Sequence, residues 1–407
     1  MNRVAITGIG CISPLGQDTR AMGLSLSRGD CAIGPLTLTP TDNLIVKIGA
    51  EVSGFEPSAH FESRLLSQLD RTVQLGMVAA REAVVSSGLD FRGAQGKRTA
   101  TIIGCGVGGM NTLDEGFHKL YADGGRRLPP ITIPKLMINA VTSHVAMDQG
   151  IKGPSFTVAS ACASANHAIG TAFGMVRDGT VEAALTGGAE SVFTYGTLKG
   201  WEAMRILAPD TCRPFSRDRK GLVLGEGAGI VVLENFERAR ARGARIFGEM
   251  LGCGMSSDAG DIIFPSVDGA VAAILSCLEK SGLVPEEVDY INAHGTGTTI
   301  NDLTETRAIR AVFGAHADKL AVSSTKSVHG HSMGAAGAVE LIATLLAMQG
   351  GFIPPTANFL GSDPECDLDY VPNTARPGQI EVALSNSFAF GGLNAVIAFR
   401  RSTDGIL

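Results

Sequence analysis

Residues 79–109 read AAREAVVSSGLDFRGAQGKRTATIIGCGVGG, and residues 269–298 read GAVAAILSCLEKSGLVPEEVDYINAHGTGT. Each stretch holds an apolar segment with helical spacing, then Ser-Gly-Leu, then a β-rich run over 99–103 or 288–293, then a glycine-rich turn. The second copy is shorter in its loop, since 16 positions separate Leu89 from Cys105 and 11 separate Leu283 from His294. The copies also end alike. Gly225-Glu226-Gly227-Ala228-Gly229 leads into an apolar run over 230–233, and Phe390-Gly391-Gly392-Leu393-Asn394 leads into another over 395–399. The pattern predicts an α/β protein built from a duplicated unit, with halves 1–250 and 251–407.

Composition narrows the class. The chain has 407 residues, 44% of them hydrophobic and 18% charged, enough to bury a large core. A formal charge of −6 without a Lys/Arg run argues against nucleic acid as a partner. No uninterrupted apolar run reaches the roughly 20 residues of a membrane span, and residues 1–8 read as strand and turn, not as a cleavable apolar leader. Eight cysteines (11, 31, 105, 162, 212, 253, 277, 366) form no CxxC pair, which predicts free thiols in a reducing cytoplasm.

Three turns carry chemistry. In Ser160-Ala161-Cys162-Ala163-Ser164, a strand-like run over 154–159 passes into residues 165–176, whose apolar positions recur at helical spacing. Cys162 then sits at a tight strand-to-helix turn between small residues, an arrangement that exposes a nucleophile. A helix N-terminus would lower its thiol pKa. The competing reading is a cysteine packed among alanines. In Asn292-Ala293-His294-Gly295-Thr296-Gly297-Thr298, a histidine ends an apolar strand in a Gly/Thr loop, at the edge where α/β sheets bind ligands. In Ser324-Thr325-Lys326-Ser327-Val328-His329-Gly330-His331, a polar cluster precedes a helix over 332–349. His329 and His331 straddle a glycine, so one of them is expected to face a site, and His331 lies nearer the helix.

These turns together resemble the β-ketoacyl-acyl-carrier-protein synthases, the elongating condensing enzymes of the thiolase superfamily, and the ketosynthases of polyketide assembly. The resemblance spans nearly the whole chain: VAITGIGCISPLG (4–16), the Cys162 turn, Cys212-Arg213-Pro214-Phe215, GLVLGEGAG (221–229), GMSSDA (254–259), NAHGTGT (292–298), SSTKSVHGHSMGAAG (323–337) and SNSFAFGGLN (385–394). It implies a thiolase-like fold, two α/β halves in an α-β-α-β-α five-layer sandwich, and a homodimer. It also implies that Cys162 takes the acyl chain from an acyl carrier protein, while His294 and His331 assist decarboxylation of malonyl-acyl carrier protein. Lys326 would hold the site's electrostatics with Glu340 as its partner. Cys162 and Phe390 would supply the oxyanion hole, Phe390 would gate the acyl pocket, and Thr296 and Thr298 would support the loop. No metal or cofactor is implied. The product would be a 3-oxoacyl-acyl carrier protein in fatty acid elongation, with polyketide or specialised acyl-lipid synthesis as the alternative.

The chain departs from the resemblance in places. Position 299, often Pro, is Thr299, and position 393, often Thr, is Leu393. The stretch 64–71, often basic, is sparsely charged here, which leaves Arg126, Arg127 and Arg213 for docking the acidic carrier. Trp201 is read as ordinary core. Three rivals carry sequence support. Gly104-Cys105-Gly106-Val107-Gly108-Gly109 matches GxGxxG, with Asp123 following, as in a nicotinamide-dependent oxidoreductase. Asp123, however, lies in a loop-like stretch. Cys162, His294 and His331 could ligate zinc, although no HExxH or CxxC spacing supports it. A non-catalytic partner subunit would keep the fold, yet the reactive residues are all retained.

Overall fold

The computed structural model describes residues 1–402. Ten strands form one sheet: β1 (Val4–Ile12), β2 (Thr99–Gly104), β3 (Ser155–Val158), β4 (Ala183–Glu190), β5 (Gly227–Asn235), β6 (Gly248–Ser257), β7 (Tyr290–Asn292), β8 (Ala321–Ser323), β9 (Val382–Ala389) and β10 (Leu393–Arg401). Their spatial order is β8-β7-β9-β10-β6-β1-β5-β4-β2-β3. The two halves meet at a short antiparallel junction between Val4–Ile6 of β1 and Gly248–Met250 of β6. Outward from it, β1-β5-β4-β2-β3 and β6-β10-β9-β7-β8 repeat one pattern, two antiparallel pairings followed by two parallel ones. The stretches aligned in sequence fall on matching strands, 99–103 in β2 and 288–293 in β7.

Helices complete five layers. On one outer face α1 (Arg71–Ser87) lies on β1 and β5, and α2 (Ala140–Gln149) on β2 and β3. Between the half-sheets run α3 (Ser164–Arg177), touching β2 and β4 on one side and β6 and β10 on the other, and α6 (Ala336–Gly350), touching β4 and β5 as well as β9 and β10. On the far face α4 (Val267–Ser281) covers β6 and β10, with α5 (Thr299–Phe313) beside it.

Local sequence sets these elements. Asp70 caps α1 by accepting from the Thr72 N–H, and Gly88 ends the helix at φ 66°. Ser266 and Gly282 do the same for α4. Glycine lets each outer helix lie on its strand. A Cβ at Gly10 of β1 would stand 2.1 Å from the Ala79 carbonyl of α1, and one at Gly254 of β6 would stand 2.1 Å from the Ala273 carbonyl of α4. The same requirement in both halves records the duplication at the level of packing. The stretch Met333–Gly350 is apolar and long enough to cross a bilayer, but 83% of it is buried between the half-sheets, so its apolarity belongs to the core.

Candidate active site

The C-terminal ends of β3, β7, β8 and β9 converge on one cavity of about 270 Å3. Cys162 forms part of its floor and is 4% exposed. The turn that presents it is tight. Ala161 takes φ 47°, the left-handed region that non-glycine residues rarely enter. Ser164 holds the turn by donating Oγ–H to the Ala161 carbonyl (2.6 Å) and accepting from the Ser160 N–H (2.9 Å). The main-chain N–H groups of Phe390 and of Cys162 itself face the sulfur.

The sequence predicted a lowered thiol pKa, and the structure reverses that expectation. Burial pushes the Cys162 thiol up to about 11, against the opposing pull of the Lys326 charge and the two N–H groups. The magnitudes explain why. A helix terminus is worth about 0.3–1 kcal/mol, under one pKa unit, whereas full desolvation moves a group by up to about 3–5 units. Near neutral pH the Cys162 sulfur therefore rests as a thiol.

His294 and His331 bring ring nitrogens to within 4.8 Å of the Cys162 sulfur and of each other. Their rings lie edge to face, with centroids 5.4 Å apart. Burial, then the Lys326 charge, then the neighbouring imidazole (His331 for His294, His329 for His331) hold both well below the ordinary histidine value, so each is a neutral ring with one N–H donor. His294 Nδ1 and both ring nitrogens of His331 lack a protein partner among the described residues. Buried polar atoms left this way are free to bind water or a ligand that enters the cavity. His329 is occupied: Nδ1 pairs with the Gly330 carbonyl (2.8 Å) and Nε2 with Thr325 Oγ1 (3.0 Å). Of the two histidines flanking Gly330, only His331 lines the cavity.

Beneath the rings Lys326 and Glu340 form a fully buried ion pair. Thr296 and Thr298 line the cavity and share a hydrogen bond of 2.9 Å. Sequence reasoning missed Glu305, whose carboxylate accepts the N–H groups of His294 and Gly295 (both 2.8 Å) and the Asn386 amide (3.0 Å). A signal was present: Asp302, Glu305, Ile309 and Phe313 share one face of α5, and acids on an apolar stripe are buried for a reason.

Trp201 is not ordinary core. It lines the cavity and stacks on Phe390, with centroids 6.1 Å apart at 25°. Leu393 packs into the same cluster of apolar side chains as Cys162. Thr299 is the first residue of α5 and lines the cavity. Of the three basic docking positions, Arg126 and Arg127 are exposed. The Arg213 side chain is 15% exposed and bound to Asp210 at 2.9 Å, which leaves it poorly placed to reach a partner.

Two rival readings lose their geometry. The Gly106 and Val107 N–H groups, which a dinucleotide phosphate would need, donate to the Glu190 carboxylate at 2.5 and 3.3 Å. A tetrahedral zinc would want donors about 3.3–3.8 Å apart and a partner on each histidine's second nitrogen. The three donor atoms lie within 4.8 Å of one another, but among the described residues His331 has no partner on either nitrogen to orient it as a ligand.

Comparison with known proteins agrees with this geometry. The family model "Beta-ketoacyl synthase, N-terminal domain" matches residues 1–239, and "Beta-ketoacyl synthase, C-terminal domain" matches residues 247–360. The chain is 47% identical to Nodulation protein E of Rhizobium sp. (strain N33), over 98% of this chain and 99% of that one. It is 40% identical to 3-oxoacyl-[acyl-carrier-protein] synthase 2 of Synechocystis sp., over 98% of each. Among solved structures, the ishigamide ketosynthase/chain length factor superposes with a TM-score of 0.94 at 37% identity, covering 98% of this chain and 99% of that one. The chain belongs to the β-ketoacyl synthase family and has its thiolase-like ketosynthase fold.

Proposed function

We propose that this ketosynthase catalyses a decarboxylating Claisen condensation between an acyl chain held on Cys162 and malonyl-acyl carrier protein, acting as a 3-oxoacyl-acyl-carrier-protein synthase. The observation that carries the reading is the pair of neutral, unpartnered imidazoles beside the Cys162 sulfur. In the first step the sulfur attacks the acyl-carrier thioester. A new S–C bond forms, the carrier S–C bond breaks, and the thiol proton leaves with the carrier. The N–H groups of Cys162 and Phe390 support the tetrahedral oxyanion.

In the second step the malonyl C–C bond breaks and carbon dioxide departs. The electron pair passes into the thioester as an enolate, whose oxygen takes hydrogen bonds from His294 and His331. The enolate carbon then attacks the acyl carbonyl, the Cys162–acyl bond breaks, and the departing thiolate takes a proton from water. Neutral imidazoles suit this role, since they donate without handing the carbanion a proton as an imidazolium would. Lys326, tied to Glu340, keeps positive charge beside the developing anion. Its charge also keeps both imidazoles neutral.

An acyl carrier protein as partner is supported by the name of the Synechocystis relative, and Arg126 and Arg127 offer exposed cations for it. A homodimer is supported by β3, a sheet-edge strand whose Phe156 is 42% exposed. Eight free cysteines suit a reducing cytoplasm. For the pathway, fatty acid elongation is the first reading. A specialised acyl-lipid or polyketide branch is favoured by the higher identity to Nodulation protein E, 47% against 40%. Intact-mass analysis after incubation with acyl-carrier thioesters of varied length and unsaturation tests both. Acyl adducts confined to Cys162 support the mechanism, and a preference for unusual chains supports the specialised branch. A wild-type protein that takes no acyl group on Cys162 overturns the proposal.

A further inference from the structure

Glu190 ends β4 fully buried, and among the described residues it has no ion-pair partner. Its carboxylate is nonetheless well used. Oε2 accepts the Gly106 N–H (2.5 Å) and the Gly334 N–H (3.2 Å), while Oε1 accepts from Val107 N–H (3.3 Å) and the Cys105 thiol (3.4 Å). Gly106 belongs to the half that carries the nucleophile. Gly334 lies three residues after His331, in the half that carries both imidazoles. A Cβ at either position would stand 2.6 Å from Glu190 Oε2, and one at Gly334 would also stand 2.4 Å from the Gly106 main-chain nitrogen, so Gly334 has no room for a side chain. The adjoining Met333 takes φ 47°, a strained value for its residue type, and packs in the same apolar cluster as Cys162.

A buried carboxylate without a counter-ion costs several kcal/mol unless hydrogen bonds offset it, so a hydrophobic residue would make a cheaper core here. What the acid supplies is a tie between the halves. We propose that Glu190 is a positioning residue for the condensation step, its ionised carboxylate clamping the Met333–Gly334 turn to the Gly106–Val107 loop and so fixing His331 over Cys162. This rests on the reading of Cys162 as acyl acceptor and His331 as enolate donor.

The proposal predicts a pH dependence. Burial pushes the Glu190 carboxyl up to about 7, with its hydrogen bonds opposing. Facing it are the Cys105 and Cys162 thiols, both raised by burial and neutral near pH 7. Across the β4–β5 pairing the nearest charges, Glu226 and Arg71, are bound to each other. Protonation at low pH replaces an acceptor oxygen with a hydroxyl and loosens the clamp, so condensation falls as pH falls.

The experiment uses isolated acyl-enzyme, whose thiol is blocked and cannot titrate, mixed with malonyl-acyl carrier protein in single turnover from pH 6 to pH 8. Wild type is expected to lose about tenfold between pH 8 and pH 6, the change in ionised fraction for a group near 7. Glu190→Gln is expected to be acylated on Cys162 normally, with a condensation rate reduced by at least tenfold and flat across that range, and an unchanged KM for the malonyl carrier. A wild-type profile flat through this range overturns the proposal without any variant, and so does a folded Glu190→Gln enzyme that condenses normally. Failure of the wild type to become acylated at all would instead sink the functional reading, and the two failures are distinguishable.

Discussion

Removing one imidazole should separate the two half-reactions. In His331→Ala the donor disappears from the enolate site, while the main-chain N–H groups that face the sulfur stay in place. Both ring nitrogens of His331 are without protein partners, so the substitution breaks no hydrogen bond inside the protein, and its effect reports on the substrate. One buried oxyanion donor is worth about 3–4 kcal/mol, or about 10²–10³ in rate. Acyl transfer to Cys162 should stay within a few-fold of wild type, while carbon dioxide release from malonyl-acyl carrier protein falls by that factor. His331→Gln, which returns an N–H donor on an arm of similar length but greater flexibility, should recover part of the loss. The assay pairs intact-mass detection of acyl-enzyme with release of labelled carbon dioxide. A variant that condenses within threefold of wild type, or that loses acylation as severely as condensation, refutes the reasoning.

Three further outcomes follow from the same site. Because burial holds the Cys162 thiol near 11, its alkylation by iodoacetamide should rise about tenfold per pH unit from 7 to 10 as thiolate accumulates; a plateau near pH 8.5, read by peptide mass spectrometry, would refute the buried-thiol picture. Lys326→Met leaves Glu340 buried without its cation and should cost about 3–5 kcal/mol of stability, much of it recovered in Lys326→Met/Glu340→Leu while condensation stays lost. Denaturant midpoints and turnover, measured on both variants, check this; a double variant as unstable as the single one refutes it. Trp201 is the only tryptophan and stacks on Phe390, so acyl loading that moves the gate should change its emission, and Phe390→Ala should show altered emission before loading; identical spectra in all states would mean the stack does not move.

The duplication was legible because each copy keeps its helix, Ser-Gly-Leu stop, strand and glycine turn in order, and those local signals survive into matching strands of the sheet. Three polar turns could be seen as three turns. Their convergence depends on β3, β7, β8 and β9 ending at one edge, which no local pattern encodes. The thiol's pKa was misjudged because sequence displays the helix terminus and conceals the desolvation that outweighs it. Trp201 was misjudged because a lone aromatic on a helix of mixed polarity looks the same whether it faces core or cavity. Glu190 went unseen for a related reason: its main-chain partners lie 83 to 144 positions away, and a carboxylate in service to a distant backbone leaves no motif. Glu305 did leave a trace, on the apolar face of α5, and it was not read.

The repeated fold also explains why the chemistry divides as it does. The turn after β3 carries Cys162 and opens α3; the loop after β8 carries Lys326 and His331 and opens α6. These are equivalent places in the two halves, and α3 and α6 run side by side in the middle layer. Duplication therefore brings two strand-to-helix junctions face to face, and each can specialise without disturbing the other's core. One became a tight turn of small residues around a sulfur. The other kept a buried cation and an imidazole. In the proposed reaction the nucleophile and the groups that stabilise charge therefore sit on separate halves, so the distance between them is set by whatever joins the halves near the site. Among the named strands of the described residues, only the short β1–β6 junction links the half-sheets, and it lies at the far side of each half from β3 and β8; beside the site the His331 main chain bridges to the first half, donating to the Val223 carbonyl and accepting from the Gly225 N–H. Direct contacts across the cavity floor must hold the register there, and the Glu190 carboxylate makes such a contact with main-chain donors on both sides.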